Sequence, residues 1–164
     1  MADGGQTGTS VDSSADIDLS YVTLAEAQTY FNNILNTDNW DDATEGDKIK
    51  ALVMATKAID RLNFLGKKTV STQSFQFPRY NDTSVPQDIK DAVCEEALVL
   101  VGGADITMEK EAARMTGQGF GSVRTAFDVE LVTLHLSAGL VSAVAFNIIK
   151  PYLRLPSNID IIKI

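Results

Sequence analysis

Apolar residues recur at helical spacing along three long stretches of the chain. The first stretch follows Thr23, and its apolar face extends from Leu24 to Leu35. Glu26 comes three residues after the threonine, which is the spacing of a capping box. The second runs from near Asp42 or Thr44 to about Leu62, with alanines on its apolar stripe. These patterns predict two amphipathic helices, and the alanines would let another helix approach the second one closely.

The third stretch, from Pro86 to Val101, is apolar on nearly every face in its second half. Pro86 suits the first position of a helix, where its missing N–H costs nothing, and Gly102-Gly103 predicts the end. A helix this apolar belongs in the centre of a bundle or in a subunit interface. The sequence therefore predicts a mainly α fold, a small bundle of about four helices.

The later helices are shorter. A helix is predicted from Met108 to Met115, with Asp105 or Thr107 as its cap. A last helix is predicted from Leu140 to Lys150, with Ser137 as its cap.

Two stretches predict extended structure. Phe75 and Phe77 alternate with a polar residue, which indicates a strand within residues 69–77. The alternation from Val123 to Leu134 indicates a strand or hairpin. We therefore expect a β-hairpin or extended arm inserted around residues 118–134.

The chain divides into three parts. Residues 1–20 have almost no large apolar side chain, which predicts a flexible N-terminal tail. Residues 21–150 form the predicted helical-bundle domain. Residues 151–164 are apolar enough to aggregate if left free, so we expect a C-terminal arm that docks on a partner. The apolar residues proposed for this docking are Tyr152, Leu153, Leu155, Ile159, Ile161 and Ile162.

The charge and the cysteine content exclude several classes of protein. The 164 residues carry a formal net charge of −8, which disfavours binding to nucleic-acid phosphates. Cys94 is the single cysteine, so an internal disulfide is impossible and a reducing cytosol fits. The N-terminus does not resemble a signal peptide, and the apolar stretch Leu140–Ile149 is too short to span a bilayer.

Catalytic and metal-binding patterns are missing from the sequence. His135 is the only histidine, and no nucleophile motif accompanies it. The run at 117–121 resembles a phosphate loop only superficially, because no Lys-Ser or Lys-Thr follows it. We interpret Glu95 and Glu96 as a solvated or inter-subunit face, for which Arg79 could supply the opposite charge. The sequence therefore predicts no enzyme, no metal and no cofactor.

Two local features are interpreted as structural. Lys67 and Lys68 follow a Leu-Gly helix stop, so we interpret them as the solvated C-terminal end of a helix rather than a phosphate site. Trp40 stands alone in a polar stretch and is interpreted as an anchor that packs over a helix junction.

A set of motifs in a fixed order supports a family resemblance. In chain order they are Tyr21-Val22-Thr23, Ala25-Glu26-Ala27, Tyr30-Phe31, Trp40, Ala51-Leu52, Ala55-Thr56, Ile59-Asp60, Leu65-Gly66, Phe77-Pro78-Arg79 and Val85-Pro86 with Ile89, Ala92, Glu95 and Ala97. This set resembles the tailed-bacteriophage head–tail adaptor family, also called head completion or connector proteins. Members of that family often carry the label of a DnaT-like single-strand-binding domain. The sequence departs from it at Leu65, where many relatives have an aromatic residue, and in its long acidic N-terminal tail.

The resemblance implies a structural virion protein that is made in the host cytoplasm and sits in the neck of the virion. It implies a ring of about twelve copies that joins the portal to the tail or neck proteins. DNA would pass through its lumen during ejection without sequence-specific binding. On this hypothesis residues 151–164 dock on the portal. Arg79 forms a salt bridge, with Glu95 or Glu96, that holds the loop before the third helix within or between subunits.

The alternative hypothesis is a single-stranded DNA-binding module, the literal meaning of the DnaT-like label. Such a module needs a basic groove with stacking aromatic side chains. In the sequence, Phe75, Phe77 and Tyr80 lack basic companions other than Arg79. The sequence therefore favours the adaptor.

Overall fold

Helices dominate the computed structural model, which describes residues 19–113, 117–120, 123–126 and 134–154. In chain order the elements are α1 Leu24–Phe31, α2 Asp38–Asp41, α3 Glu45–Asp60, α4 Gln87–Val101, α5 Ile106–Ala113, β1 Gly117–Phe120, β2 Val123–Ala126, α6 Leu134–Ala138, α7 Ala143–Ile149 and a 3-10 turn Lys150–Tyr152. The predicted mainly α class is confirmed. The predicted count of four is wrong, because the described residues form seven α-helices.

The core lies where α3 and α4 pack against each other in opposite directions, with α1 and α7 also packed on α4. The first half of α3 lies beside the last turn of α4, since Ala51 and Leu100 line one groove. Fully buried aliphatic side chains fill the contact, among them Leu52, Ile59 and Ile89. Burial of each such side chain stabilises the fold by roughly 1.5–3 kcal/mol, which makes this helix pair the frame of the domain.

The predicted capping box at the start of α1 is confirmed. The Thr23 hydroxyl accepts from the Glu26 N–H at 3.2 Å, and the Glu26 carboxylate accepts from the Thr23 N–H at 2.9 Å. The helix is shorter than predicted, because it ends at Phe31. Leu35, which was predicted to lie on its apolar face, is 87% exposed.

Trp40 is the anchor that the sequence predicted, although it lies in the short helix α2 and not in a loop. Its side chain is fully buried, with its ring centroid 4.3 Å from that of Phe31. The indole N–H donates to the Gln28 side chain at 3.4 Å. The contact fixes α1 against the junction between α2 and α3.

The last predicted helix is wrong in its start and its cap. Two helices, α6 and α7, take its place, and Gly139 between them adopts a φ of +94°. Ser142 rather than Ser137 caps α7, since its hydroxyl accepts from the Ala145 N–H at 3.1 Å. Glycine adopts a positive φ of this kind at little steric cost, which allows the chain to leave α6 here.

The extended structure differs from the prediction. Residues 69–77 form turns and bends, and only Lys68 and Arg79 pair as an isolated bridge, so the predicted strand there is wrong. Strands β1 and β2 pair antiparallel, from Gly117 opposite Ala126 to Phe120 opposite Val123. Residues 121–122 and 127–133 lie outside the described part. The hairpin insertion around 118–134 therefore stays a prediction.

The predicted tails fall largely outside the described residues, which exclude 1–18 and 155–164. Among the helices that the structure does describe, none has the length and apolar character needed to cross a bilayer.

Candidate nucleic-acid interface

The loop between α3 and α4 folds around the buried side chain of Arg79, which is 7% exposed. Its guanidinium donates to the carbonyl oxygens of Leu65 at 2.7 Å, Phe64 at 3.3 Å and Gly66. It also donates to the main-chain and side-chain oxygens of Gln76, at 3.3 and 2.8 Å. A fork of five N–H groups suits such a set of oxygens, and Arg79 thereby ties both halves of the loop together.

The salt bridge predicted for Arg79 is not formed within the described residues, so its intra-chain version is wrong. The Glu95 carboxylate accepts instead from the Tyr30 hydroxyl at 2.7 Å. The Glu96 carboxylate is buried and accepts from the N–H groups of Val141 and Ser142, at 2.9 and 2.8 Å. Arg79 donates instead to main-chain carbonyl oxygens of the loop and to the Gln76 side chain. The inter-subunit version of the salt bridge stays a prediction.

Tyr80 follows Arg79 and is held in an unusual backbone conformation on the surface. Its φ is +57°, a left-handed value that is an outlier for a bulky residue, and its side chain is 62% exposed. Its N–H donates to the Lys67 carbonyl oxygen at 2.8 Å. The ring lies against Gly66, where an added Cβ would come within 2.3 Å of a ring atom. The loop therefore supports this aromatic side chain from behind and leaves it open to solvent.

A segment from the end of the chain completes this region. The Leu65 N–H donates to the Tyr152 carbonyl oxygen, and the Arg154 N–H donates to the Asn63 carbonyl oxygen, both at 2.8 Å. Phe64 and Leu153 pair between these two bonds. The chain thus places Arg154 beside the loop, more than seventy residues away in sequence.

Two of the residues predicted to dock on a partner pack on the domain itself. Leu153 is buried, and the half-buried Tyr152 donates its hydroxyl to the Asp88 carboxylate at 2.8 Å. This hydrogen bond raises the pKa of Tyr152. The other four, Leu155, Ile159, Ile161 and Ile162, lie outside the described residues, and their docking role stays a prediction.

The charge of this region is opposite to that of the chain. Residues 61–81 contain no aspartate or glutamate, and neither do residues 150–154. We call the surface formed by these two segments the basic end. Its basic residues are Arg61, Lys67, Lys68, Arg79, Lys150 and Arg154.

The acidic residues nearest to the basic end differ in exposure. Asp60 is turned inward, since it accepts hydrogen bonds from the Tyr21 hydroxyl and from the Gln76 N–H. Burial raises the pKa of Tyr21, so this tyrosine stays a neutral donor. Asp82 and Asp88 are exposed. Four side chains of the basic end are exposed as well: Arg61, Lys67, Lys150 and Arg154.

Sequence reasoning missed this surface because it assigned the lysines to a helix end. Helix α3 stops at Asp60, so Lys67 and Lys68 lie well beyond it, and Lys68 pairs with Arg79. A signal was present in the sequence, namely 21 residues from 61 to 81 without an acidic side chain in an otherwise acidic protein. Among the described residues, no group of three or more His, Cys, Asp or Glu side chains is placed to hold a metal ion.

A family model described as "Putative DnaT-like ssDNA binding protein" matches residues 6–162. The chain belongs to this family. No curated protein and no solved structure matches the chain significantly. The family description agrees with the alternative hypothesis of a DnaT-like module, so the interpretation as a structural head–tail connector is wrong. The ring and the protein partners attached to that interpretation are without support here.

Proposed function

We propose that this protein binds single-stranded DNA through its basic end. The observation that carries the proposal is the exposed ring of Tyr80, held against Gly66 and next to Lys67 on a surface whose two segments contain no acidic residue. Family membership supports the same function, because the family is described as DnaT-like and ssDNA-binding.

Each part of the basic end has a role in this binding. Single strands are bound by a positively charged track for the phosphates and by aromatic side chains on which bases stack. Lys67, Arg61 and Arg154 are exposed and would face phosphates. Tyr80 would stack on one base. Stacking accepts every base, so we expect little sequence preference.

The acidic character of the rest of the chain limits the affinity without preventing binding. Charges more than about 10 Å apart are largely screened at 0.1 M salt, so a bound strand senses mainly the basic end. Acidic surfaces elsewhere would repel any strand that strays from it. Binding should therefore be weak at physiological salt and strengthen steeply as the salt concentration falls.

Fluorescence anisotropy of a labelled oligothymidylate at low salt tests the proposal. Tyr80→Ala should raise Kd about 5- to 150-fold, the equivalent of about 1–3 kcal/mol for one stacked base. Tyr80→Phe, which keeps the ring, should bind like the natural chain. Lys67→Ala should weaken binding and reduce the slope of log Kd against log salt by about one unit.

The matched control is Lys50→Ala, because Lys50 lies in the first half of α3, far from the basic end, and pairs with Asp47 at 3.0 Å. It should leave both Kd and the salt slope unchanged. Absence of binding at low salt would refute the proposal. Equal binding by Tyr80→Ala, Lys67→Ala and the natural chain would remove the basic end as the site.

A further inference from the structure

A groove begins at the end of the α3–α4 pair opposite to the basic end and runs along α3. The first half of α3, the last turn of α4 and the segment before α5 enclose a space of about 580 Å³. Its floor is apolar and includes Ala51, Leu100 and Val101, while Met54 on its wall is 56% exposed. A second hollow of about 300 Å³ shares Met54, Leu100 and Ala104 with the first, so the two form one continuous groove. We call it the Met54 groove.

Acidic segments border the Met54 groove on two sides. Residues 38–50 contain five acidic residues and two lysines. Of these lysines, Lys48 lies 5.7 Å from the ring centroid of Trp40, and Lys50 pairs with Asp47. Residues 105–113 contain three acidic residues and one lysine. Both borders therefore carry a negative charge that their own lysines do not balance.

Two of these carboxylates are held in the ionised form. Hydrogen bonds from Thr44 and Lys50 lower the pKa of Asp47, and the N–H groups of Thr107 and Met108 lower the pKa of Asp105. The second hollow has a mixed lining, because Lys57, Arg61 and the buried Glu96 face it together with Asp105. The acidic residues of the lining therefore outnumber the basic ones at the α2–α3 side of the groove, where Asp42 and Asp47 lie with Lys50.

We propose that the Met54 groove binds an amphipathic, lysine- or arginine-rich helix of a partner protein. The apolar face of such a helix would lie on Leu100 and Val101 beside Met54, and its cations would face the two acidic borders. Helices commonly bind in apolar grooves of this kind, and a flexible methionine adapts to the side chains that enter. Charge complementarity selects a basic partner and rejects nucleic acid, whose phosphates the borders would repel.

The first hollow of the Met54 groove lies away from the basic end, whereas the second hollow reaches Arg61, which both surfaces share. Helix α3 has 16 residues and is therefore about 24 Å long, and the first hollow and the basic end lie at its two ends. The proposal for the groove does not depend on DNA binding, and the two can be tested independently.

The experiment uses the full chain and a labelled model peptide in which leucine and lysine alternate at helical spacing. Fluorescence anisotropy should show binding that falls as salt is raised. A companion peptide with glutamate in place of every lysine should bind at least about tenfold more weakly, since like charges across an interface cost several kcal/mol.

Two variants place the peptide in the groove. Met54→Glu puts a charge on the apolar wall and should weaken binding more than about tenfold. Asp42 is exposed and lines the groove. Asp42→Lys reverses this charge and should weaken peptide binding by about fivefold or more. Asp82→Asn is the control, because it removes an exposed carboxylate at the other end of the molecule and should change nothing. Circular dichroism confirms that each variant is folded.

Three outcomes would overturn the proposal. Equal binding of the lysine and glutamate peptides would remove charge selection. Unchanged binding by both Met54→Glu and Asp42→Lys would remove the groove as the site. The third outcome is that the peptide does not bind, while sedimentation experiments show self-association of the natural chain and none of Met54→Glu. The occupant of the groove would then be a second copy of this chain.

Discussion

Arg79→Ala should be among the most destabilising single substitutions in this protein. The guanidinium is buried and donates to five oxygen atoms on Phe64, Leu65, Gly66 and Gln76. It also lies 5.9 Å from the ring centroids of Phe64 and Phe77. Removing it leaves these oxygens without their donor and opens a space between the two halves of the loop.

The size of the effect follows from how many of those oxygens can reach water. A buried polar group left without a partner costs about 1–3 kcal/mol. Leu65 is exposed and Gly66 half-buried, so their carbonyl groups can be rehydrated in part, whereas Phe64 is buried. We therefore expect a loss of about 3–5 kcal/mol, similar to other disrupted buried charge networks. This is a large share of the roughly 5–15 kcal/mol that stabilises a typical domain.

Urea unfolding followed by the fluorescence of Trp40, the only tryptophan and fully buried, measures this loss. Arg79→Lys is the matched control for charge. It keeps the cation but not the planar fork, so it should lose about half as much as the alanine variant. A loss below about 1 kcal/mol for Arg79→Ala, with an unchanged dependence on urea, would refute the view that this side chain holds the loop.

Three further substitutions test other parts of the structure by the same urea measurement. Gly66→Ala should destabilise the fold by about 1–3 kcal/mol, because the φ of Gly66 is +77° and the new methyl group would collide with the Tyr80 ring. In a Tyr80→Ala background the loss should be smaller. An equal loss in both backgrounds would contradict the contact with Tyr80. Thr23→Ala removes the cap of α1 and should cost about 0.5–2 kcal/mol, while Thr29→Ala on the same helix surface serves as the comparison. Burial raises the pKa of Glu96, so the native state favours its protonated form and this stabilising contribution is lost as pH rises through the raised pKa. The free energy of unfolding of the natural chain relative to Glu96→Gln should therefore fall as pH rises above about 4, near the ordinary pKa of a glutamate, and through the raised pKa; a constant difference would contradict the effect of burial.

Local signals in the sequence were sufficient for the starts of α1, α3 and α4. Thr23 and Glu26 predicted the box that begins α1, and Thr44, one of the two starts considered for the second helix, caps α3. The apolar pattern after Pro86 predicted α4 and its burial, because side chains at helical spacing on one face must meet the core. Trp40 was identified as an anchor because a large apolar side chain in a polar stretch needs a place to pack.

The basic end could not be predicted in the same way, because contacts between distant segments build it. The pairing of Phe64 with Leu153 leaves no periodic pattern in either segment. The left-handed backbone of Tyr80 depends on Gly66 and Lys67, and nothing in the local sequence of Tyr80 favours it. The net charge of −8 was used to argue against DNA binding, but a net charge sums over surfaces of opposite sign and does not report a local basic surface.

The hydrogen bonds between residues 63–65 and 152–154 also bear on how the protein is made. A ribosome completes α3 and α4 long before it adds the segment that covers Phe64. The nascent chain can therefore form its helical frame early, but it acquires the finished surface around Tyr80 only after residues 152–154 have been added. A chain truncated shortly before Lys150 would keep the packed helix pair but expose Phe64 to solvent. We expect proteases to degrade this truncated chain faster than the chain that includes residues 150–154.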